Sequence, residues 1–303
     1  MILLTSGGDL TSQQLVGLKR NLLASLGVRE RSKRASVRVP DYLWQIYDLF
    51  QRNQQWDSVR NFLADNATFE RLDFDLSDLP RKEELVQADL RLRLNCEQTT
   101  TVRVSVFEVV RSDVEVIIGS KLCSGSRWLI FDALPAILRR TQVHLFVQTR
   151  HLNGTVAERL TFNAEPSIQV FACTNTERTR RATRKRRHRT KHHRTIAREG
   201  LCERHKIYID FRELNWQDWI LAPQGLQSYY CAGLCVYPLV EAQNTTNHAI
   251  IQSLVNSVSP GAAPQPCCVP TEMSTVSMLY IDVDSRIVIK NYPDMVVEGC
   301  GCR

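Results

Sequence analysis

Apolar positions change their spacing three times along this chain. Leu15, Leu18, Leu22, Leu23 and Leu26 recur at steps of three and four, which predicts an amphipathic helix over about 13–27. Leu43, Ile46, Tyr47 and Phe50 follow Pro40, with Asp41 placed as a cap, and predict a second helix over about 40–51. On pattern alone each stripe packs against the core of its own domain. From about residue 66 the period becomes two. Val86, Ala88, Leu90, Leu92 and Leu94 alternate with polar residues, as do Val102, Val104 and Val106, and further strands are predicted at 114–119, 127–132, 143–149 and 168–172. Short strands broken by turn residues describe a β-rich region over about 66–173. Beyond residue 200, two extended fingers are expected. One spans about 205–220, with Ile207, Ile209 and Phe211 on one face. The other spans about 276–297, where 276–282 pairs with 286–292 around Val283-Asp284-Ser285. Between them 244–258 reads as a helix, with Ile251, Leu254, Val255 and Val258 as its stripe and Pro260-Gly261 as its end.

Composition changes this picture in two places. The net charge of +7 comes from one stretch: residues 178–206 hold thirteen Lys and Arg against Glu199 and Glu203, so the remainder is net acidic. Seven of the ten cysteines lie in the last hundred residues, as C-x28-C-A-G-L-C-x31-C-C-x31-C-G-C from Cys202 to Cys302. A framework that dense indicates an oxidising compartment, and sequons at Asn66, Asn153 and Asn244 agree with it. No apolar run approaches the roughly 20 residues needed to span a bilayer. The first residues, Met1-Ile-Leu-Leu-Thr-Ser-Gly-Gly-Asp, lack the charged and apolar regions of a signal peptide. The chain is therefore read as secreted, with the sequence either beginning after a removed signal or incomplete at its start. Three cysteines, Cys96, Cys123 and Cys173, fall in the β-rich region, an odd number whose pairing stays open.

The basic stretch R-T-R-R-A-T-R-K-R-R-H-R-T-K-H-H-R from Arg178 has no apolar residues to bury and is expected to be a disordered linker. Such a run usually marks a solvated tail or a nucleic-acid patch. In a secreted precursor it reads instead as a substrate of proprotein convertases, which cut after R-x-[K/R]-R. Cleavage is expected after Arg187, with Arg181 as an alternative. Basic residues from His188 onward would stay with the C-terminal piece and attract heparan sulfate or other sulfated glycans by charge.

Six cysteines allow fifteen pairings, and spacing alone does not choose among them. The segment, however, resembles the growth-factor domain of the transforming growth factor beta superfamily, nearest its bone morphogenetic protein (decapentaplegic-like) branch. The wording is dense: I-Y-I-D-F-R-E-L-N-W-Q-D-W-I-L-A-P at 207–223, N-H-A-I-I-Q-S-L-V-N-S-V at 247–258, P-C-C-V-P-T at 266–271 and I-K-N-Y-P-D-M-V-V-E-G-C-G-C-R at 289–303. Upstream, V-P-D-Y-L-W-Q-I-Y at 39–47 and W-L-I-F-D-A-L-P at 128–135 are similar to prodomain wording. The resemblance implies a small, β-rich, disulfide-stapled cystine-knot growth factor (two finger hairpins plus one helix) at 202–303. It follows a mixed α+β prodomain at 1–177 and a linker and mature tail at 178–201. Pairings of Cys202 with Cys268, Cys231 with Cys300 and Cys235 with Cys302 are implied. The last two would close a ring of eight residues, and Gly233 would leave room for the first to thread it. Cys267 is implied to bond Cys267 of a second copy, giving a homodimer, or a heterodimer with a related ligand. The prodomain helices are implied to lie over the receptor-binding surfaces.

Two kinds of serine/threonine kinase receptor, type I and type II, are then implied as partners, brought together by the dimer to start Smad-type signalling, with extracellular antagonists as further partners. Carried over residue by residue, the type I surface comprises Trp216, Trp219, Leu239, Glu241, Asn247, Ile250, Ile251, Leu254, Met278 and Tyr292. The type II surface comprises Ala222, Pro223, Ser277, Leu279 and Ile289. The tryptophans are expected to be exposed, because so small a domain offers little core to take them. Glu241 and Gln243 depart from the usual family residues.

Rival readings fare worse. Adjacent Cys267-Cys268 and C-G-C suit zinc badly, and neither a cofactor nor nucleic acid is expected. His248 in the helix wording is read as structural, Asp282 and Asp284 as turn residues, and no catalytic site emerges. A secreted cystine-knot antagonist that captures a related ligand is the alternative function.

Overall fold

Alternation along residues 83–94 puts Ala88, Leu90, Leu92 and Leu94 on one side of a strand, and all four are buried. The computed structural model describes residues 39–174, apart from 53–54, 69, 82, 99, 112–113 and 158–159, and residues 200–303, apart from 240–242. The helix predicted at 13–27 and both convertase motifs lie outside the described residues. The chain divides into two compact units, Met1–Thr174 with Leu279–Lys290, and Asn175–Met278 with Asn291–Arg303. The hairpin near the end of the chain thus contributes its tip to the first unit.

The first unit is a β-sandwich. One sheet contains β1 (Ser58–Leu63), β4 (Glu83–Leu94), β7 (Trp128–Asp132) and β9 (Phe162–Thr174), in the order β1-β9-β4-β7. The other contains β2 (Asn66–Ala67), β3 (Arg71–Asp75), β5 (Val102–Arg111), β6 (Val114–Cys123) and β8 (Gln142–His151), in the order β2-β3-β8-β5-β6. Leu90, Leu92, Phe131, Ile168 and Val170 from the first sheet meet Leu72, Phe74, Val104, Val106 and Leu145 from the second in one buried cluster. Cys96 and Cys123 form a disulfide, which resolves the odd number of cysteines in this region by pairing two of the three. Cys173 lies near the end of β9, with its sulfur 3.6 Å from the Gln55 carbonyl. The single-sequence pattern missed β1, whose burial does not alternate, and it missed the short helix α2 (Leu134–Ile137).

The predicted second helix is α1 (Asp41–Arg52). Its stripe, Tyr42, Leu43, Ile46, Tyr47 and Phe50, is buried, and Tyr42 meets the Trp128 ring edge-on at 5.1 Å. Trp56 stands between Phe50 and Phe171, with ring centroids 6.4 and 4.9 Å away. The Tyr42 hydroxyl donates to Asn61 Oδ1 (3.0 Å) and lies 2.9 Å from Ser167 Oγ, while Gln169 Nε2 donates to Asn61 Oδ1 (2.7 Å) and Ser167 Oγ (2.9 Å). Burying polar groups costs free energy unless they are paired, so this network favours one seating of α1 on β1 and β9.

The hairpin tip joins the same unit through β1. Ser58, Val59, Arg60 and Asn61 pair antiparallel with Lys290, Ile289, Val288 and Ile287 of β14 (Ile287–Cys302). Charged groups flank the ladder. Arg60 makes a two-pronged contact with Glu83, Nη1 to Oε2 and Nη2 to Oε1 (2.9 Å), and Ser58 Oγ donates to Glu83 Oε2 (2.8 Å). Arg286 reaches Asp78 (2.6 Å) and lies over the Phe62 ring at 4.9 Å. Burial works against the Glu83 carboxylate, but the Arg60 hydrogen bonds and charge more than offset it, so its pKa lies below the ordinary carboxylate range. Lys290 is shifted down from its usual range by burial, with Glu83 opposing and Arg60 adding to the shift.

Glu83→Gln should leave Arg60 with an uncompensated buried charge and destabilise this unit by about 3 kcal/mol at neutral pH, read from urea melts. Because the folded pKa of Glu83 is depressed, its contribution is present above the unfolded value of about 4.3 and fades as pH falls through the lower folded value. The gap between parent and variant should therefore close in melts at progressively more acid pH.

Candidate functional site: the cystine knot and the surfaces around it

The second unit is assembled on three disulfides. Its strands are β10 (Glu203–Asp210), β11 (Ile220–Ala222), β12 (Gly225–Ala232) and parts of β13 (Cys268–Ile281) and β14. Cys202 bonds Cys268, Cys231 bonds Cys300 and Cys235 bonds Cys302. The sulfurs of Cys202, Cys235 and Cys302 lie within 4.8 Å of one another. They are buried together, with Leu239, Cys268 and Cys300 packed against them. All three are in disulfides, so the cluster offers no thiolate to a metal.

Gly233, between Cys231 and Cys235, has a φ of 118°, and a Cβ there would overlap the Leu201 carbonyl and the Cys202 nitrogen. The strand that carries Cys202 runs against Gly233, held by Leu234 N–H donating to the Gly200 carbonyl (2.7 Å) and Cys202 N–H donating to the Leu234 carbonyl (3.1 Å). Glycine is needed here for both its conformation and its size. Cys267 is exposed and outside any disulfide of this chain.

The first finger differs from its predicted span. β10 pairs antiparallel with β12, Glu203 opposite Ala232 through Asp210 opposite Gly225, and residues 211–219 form turns rather than strand. Those turns fold Phe211, Trp216 and Trp219 inward. The two indoles are 5% and 2% exposed, 5.8 Å apart, with Phe211 5.8 Å from Trp216. The expected exposure of both tryptophans is therefore corrected: in this chain they are core. Local turns supply a core that a finger drawn as a flat ribbon would lack.

The helix α3 (Asn247–Val258) starts three residues later than predicted. Asn244 has a positive φ of 42°, and Thr246 is the N-cap, its hydroxyl accepting from the Ala249 N–H (3.2 Å). Ala249 and Ser253 face inward, and Gln252 and Asn256 donate to the Pro264 and Ala263 carbonyls (both 2.8 Å). Every larger apolar side chain points the other way. Ile250, Ile251, Leu254, Val255 and Val258 are exposed or nearly so, Ile251 by 62% and Val258 by 77%. His248 is exposed. In the second finger Asp282 accepts from the Asp284 and Arg286 N–H groups (3.0 and 2.9 Å), which is turn chemistry.

The residues carried over for type I contact thus divide. Asn247, Ile250, Ile251 and Leu254 are exposed, Leu239 is half-buried, Trp216, Trp219, Met278 and Tyr292 are buried, and Glu241 lies outside the described residues. Of the type II residues, Ala222 and Pro223 are half-buried, while Ser277, Leu279 and Ile289 are buried. Ile289 is paired with Val59 of β1, and Ser277 Oγ lies 2.6 Å from Asn291 Oδ1. Asn66, Asn153 and Asn244 are all exposed. Sequence reasoning missed the part of β1, and those of Gln243 and Arg303 described below. Only Gln243 carried a signal, as a polar residue where an apolar one is usual.

Three bridges gathered in one cluster, two of them closing a ring that contains Gly233, together with two hairpins and one outward helix, are the architecture of a cystine-knot growth factor. A profile of the transforming growth factor beta like domain matches residues 201–302. Over nearly the whole chain the protein is 36% identical to "Protein dbl-1" of Caenorhabditis elegans, covering 94% of this chain and 86% of that one. It is 33% identical to "Bone morphogenetic protein 4" of Bos taurus, covering 98% and 90%, and 32% identical to the Mus musculus protein of that name. The chain belongs to the transforming growth factor beta family, in its bone morphogenetic protein branch. Members are secreted signalling growth factors, not enzymes. Among the described residues no helix is long and apolar enough to cross a membrane.

Gly233→Ala should abolish native disulfide formation, whereas Gly261→Ala, also at positive φ (104°) but with nothing within 4 Å of its added carbon, should cost only about 1–2 kcal/mol. The yield of correctly oxidised protein on refolding, compared between the two variants, checks this.

Proposed function

We propose that the chain is the precursor of a secreted growth factor. A convertase cuts it after Arg187, or alternatively after Arg181, and the C-terminal piece acts as a dimer linked through Cys267. The observation that carries this reading is the exposed apolar face of α3. At 100° per residue, Ile250, Ile251, Leu254, Val255 and Val258 cover an arc of roughly 140°. An amphipathic surface helix turns such a face toward a core, and this one turns it toward solvent. A second subunit would cover part of it, and the remaining strip would take the type I receptor, with Asn247, Ile250, Ile251 and Leu254 foremost. Exposed and outside the disulfides of its own chain, Cys267 would bond its own counterpart, since a two-fold dimer presents the same patch from both sides.

The type II receptor would use Ala222, Pro223, Ser277, Leu279 and Ile289. Burial of the last three, and the pairing of Ile289 with β1, support a precursor that withholds this surface until β1 departs. Function is then ligation: a bivalent dimer raises the local concentration of two kinds of receptor kinase, and the receptors carry out the chemistry of Smad-type signalling. N-glycans on Asn66, Asn153 and Asn244, and binding of heparan sulfate by the basic residues that follow the cut, complete the reading.

Secreted protein should halve in mass on reduction, and its smaller fragment should begin at His188 or Ala182 by N-terminal sequencing. Cys267→Ser should be secreted without the covalent link, whereas Cys235→Ser should fail to fold. A C-terminal fragment that runs as a monomer before reduction would sink the dimer. Capture of a related ligand with no receptor binding would instead favour an antagonist.

A further inference from the structure

The two residues that lead into α3 are tied to the knot at several points, and one side chain joins them to Cys267. The Gln243 amide, 3% exposed, donates to the Leu234 carbonyl (3.0 Å), the same carbonyl that accepts from Cys202 N–H. Asn244 Nδ2 donates to Thr271 Oγ1 (3.1 Å). The Asn244 carbonyl accepts from Arg303 Nη1, which also donates to the Cys302 carbonyl (3.0 Å). This carbonyl occupies the space that a side chain at Gly301 would need, 2.5 Å from where a Cβ would stand. Arg303 is at the same time a backbone partner of Cys267: Cys267 N–H donates to the Arg303 carbonyl (2.8 Å) and Arg303 N–H to the Cys267 carbonyl (3.0 Å).

Asn244 holds a left-handed φ of 42°. A non-glycine residue persists in that region only where its surroundings over-determine it. Here the surroundings are Arg303, Thr271 and the Gly301 gap. Two residues further on, Thr246 caps α3, so the direction in which the helix leaves the knot follows from where the Asn244 carbonyl is held.

We infer that Arg303 is a positioning residue for receptor choice. Its backbone grips Cys267 itself, just before β13, and its guanidinium grips the Asn244 carbonyl in the segment leading into α3, so one residue sets the angle between the intersubunit bond and the helix face. This rests on the reading that this face takes the type I receptor. A guanidinium suits the task, because the two in-plane hydrogens of one nitrogen, Nη1, can serve the Asn244 and Cys302 carbonyls at once. None of the type II residues makes any of these contacts: Ala222 and Pro223 lie in the first finger, and Ser277, Leu279 and Ile289 lie toward the ends of β13 and β14 that are remote from Cys267 and Arg303.

The test uses the cleaved, secreted dimer of the full chain, with Arg303→Ala and Arg303→Lys, and measures binding to type I and type II receptor ectodomains separately. Loss of a hydrogen bond from a charged donor should weaken type I binding by about tenfold and leave type II binding unchanged, with Arg303→Lys recovering part of the loss. Hydrogen exchange at Ala249 and Ile250 N–H, in the first turn of α3, should quicken by a similar factor, with exchange in β10 and β12 unaltered. Equal losses for both receptors, or unchanged type I binding and unchanged exchange, would overturn the inference. If the parent dimer binds no type I receptor, the receptor reading fails, and quickened exchange at Ala249 and Ile250 still decides whether Arg303 orients the helix. If Arg303→Ala is not secreted, Gln243→Leu gives the same decision: a selective type I loss supports the inference, and intact type I binding refutes it.

Discussion

The structure depends on one steric allowance, the absence of a side chain at Gly233. Around that point two disulfides and their intervening segments close on a third. A single methyl group there would meet the Leu201 carbonyl. With the allowance made, three covalent bonds hold segments separated by 66 to 69 residues in sequence, each worth about 2–4 kcal/mol in the usual range. Hydrophobic burial adds to the knot but does not replace it. Phe211, Trp216 and Trp219 form a small core in the turns of the first finger, while the helix keeps its apolar side outward. A unit organised this way has side chains left over for recognition.

The first unit has the opposite economy. Its sandwich buries Leu90, Leu92, Val104, Leu145 and Ile168 between two sheets, as an ordinary domain does. What is unusual is the edge it shares with the hairpin tip. The backbone pairing of β1 with β14, flanked by Arg60–Glu83 and Arg286–Asp78, treats a piece of the growth factor as one more strand. Of the residues proposed for type II contact, Ile289 lies in this ladder opposite Val59, and both it and Leu279 are buried.

Much of this was legible in the sequence, for identifiable reasons. Alternation announced β4 and β5, and a stripe at helical spacing announced α1 almost to the residue. The cysteine spacing announced a disulfide framework without choosing its connectivity, which came from resemblance. Failures cluster where tertiary contacts override local pattern. β1 is buried on both faces and so shows no alternation. Trp216 and Trp219 look like surface anchors until turns fold them inward. The helix at 244–258 starts late because Asn244 is held in a left-handed conformation by Arg303, a residue far away in sequence. Gln243 looked like drift from family wording. Its buried hydrogen bond to Leu234 shows why a polar residue can occupy that place.

The β1–β14 ladder also bears on solubility. Strand edges are templates for further pairing, and each of these two strands hides part of the other's. Were a convertase to part them, two rows of backbone donors and acceptors would be uncovered together, one lined by Ile287, Val288 and Ile289. Such apolar, β-branched segments are the kind that stack into aggregates when left open. The N-terminal region would then serve as a guard against self-association as well as a cover over a binding surface. Its departure would be safest when a receptor is already at hand to take its place.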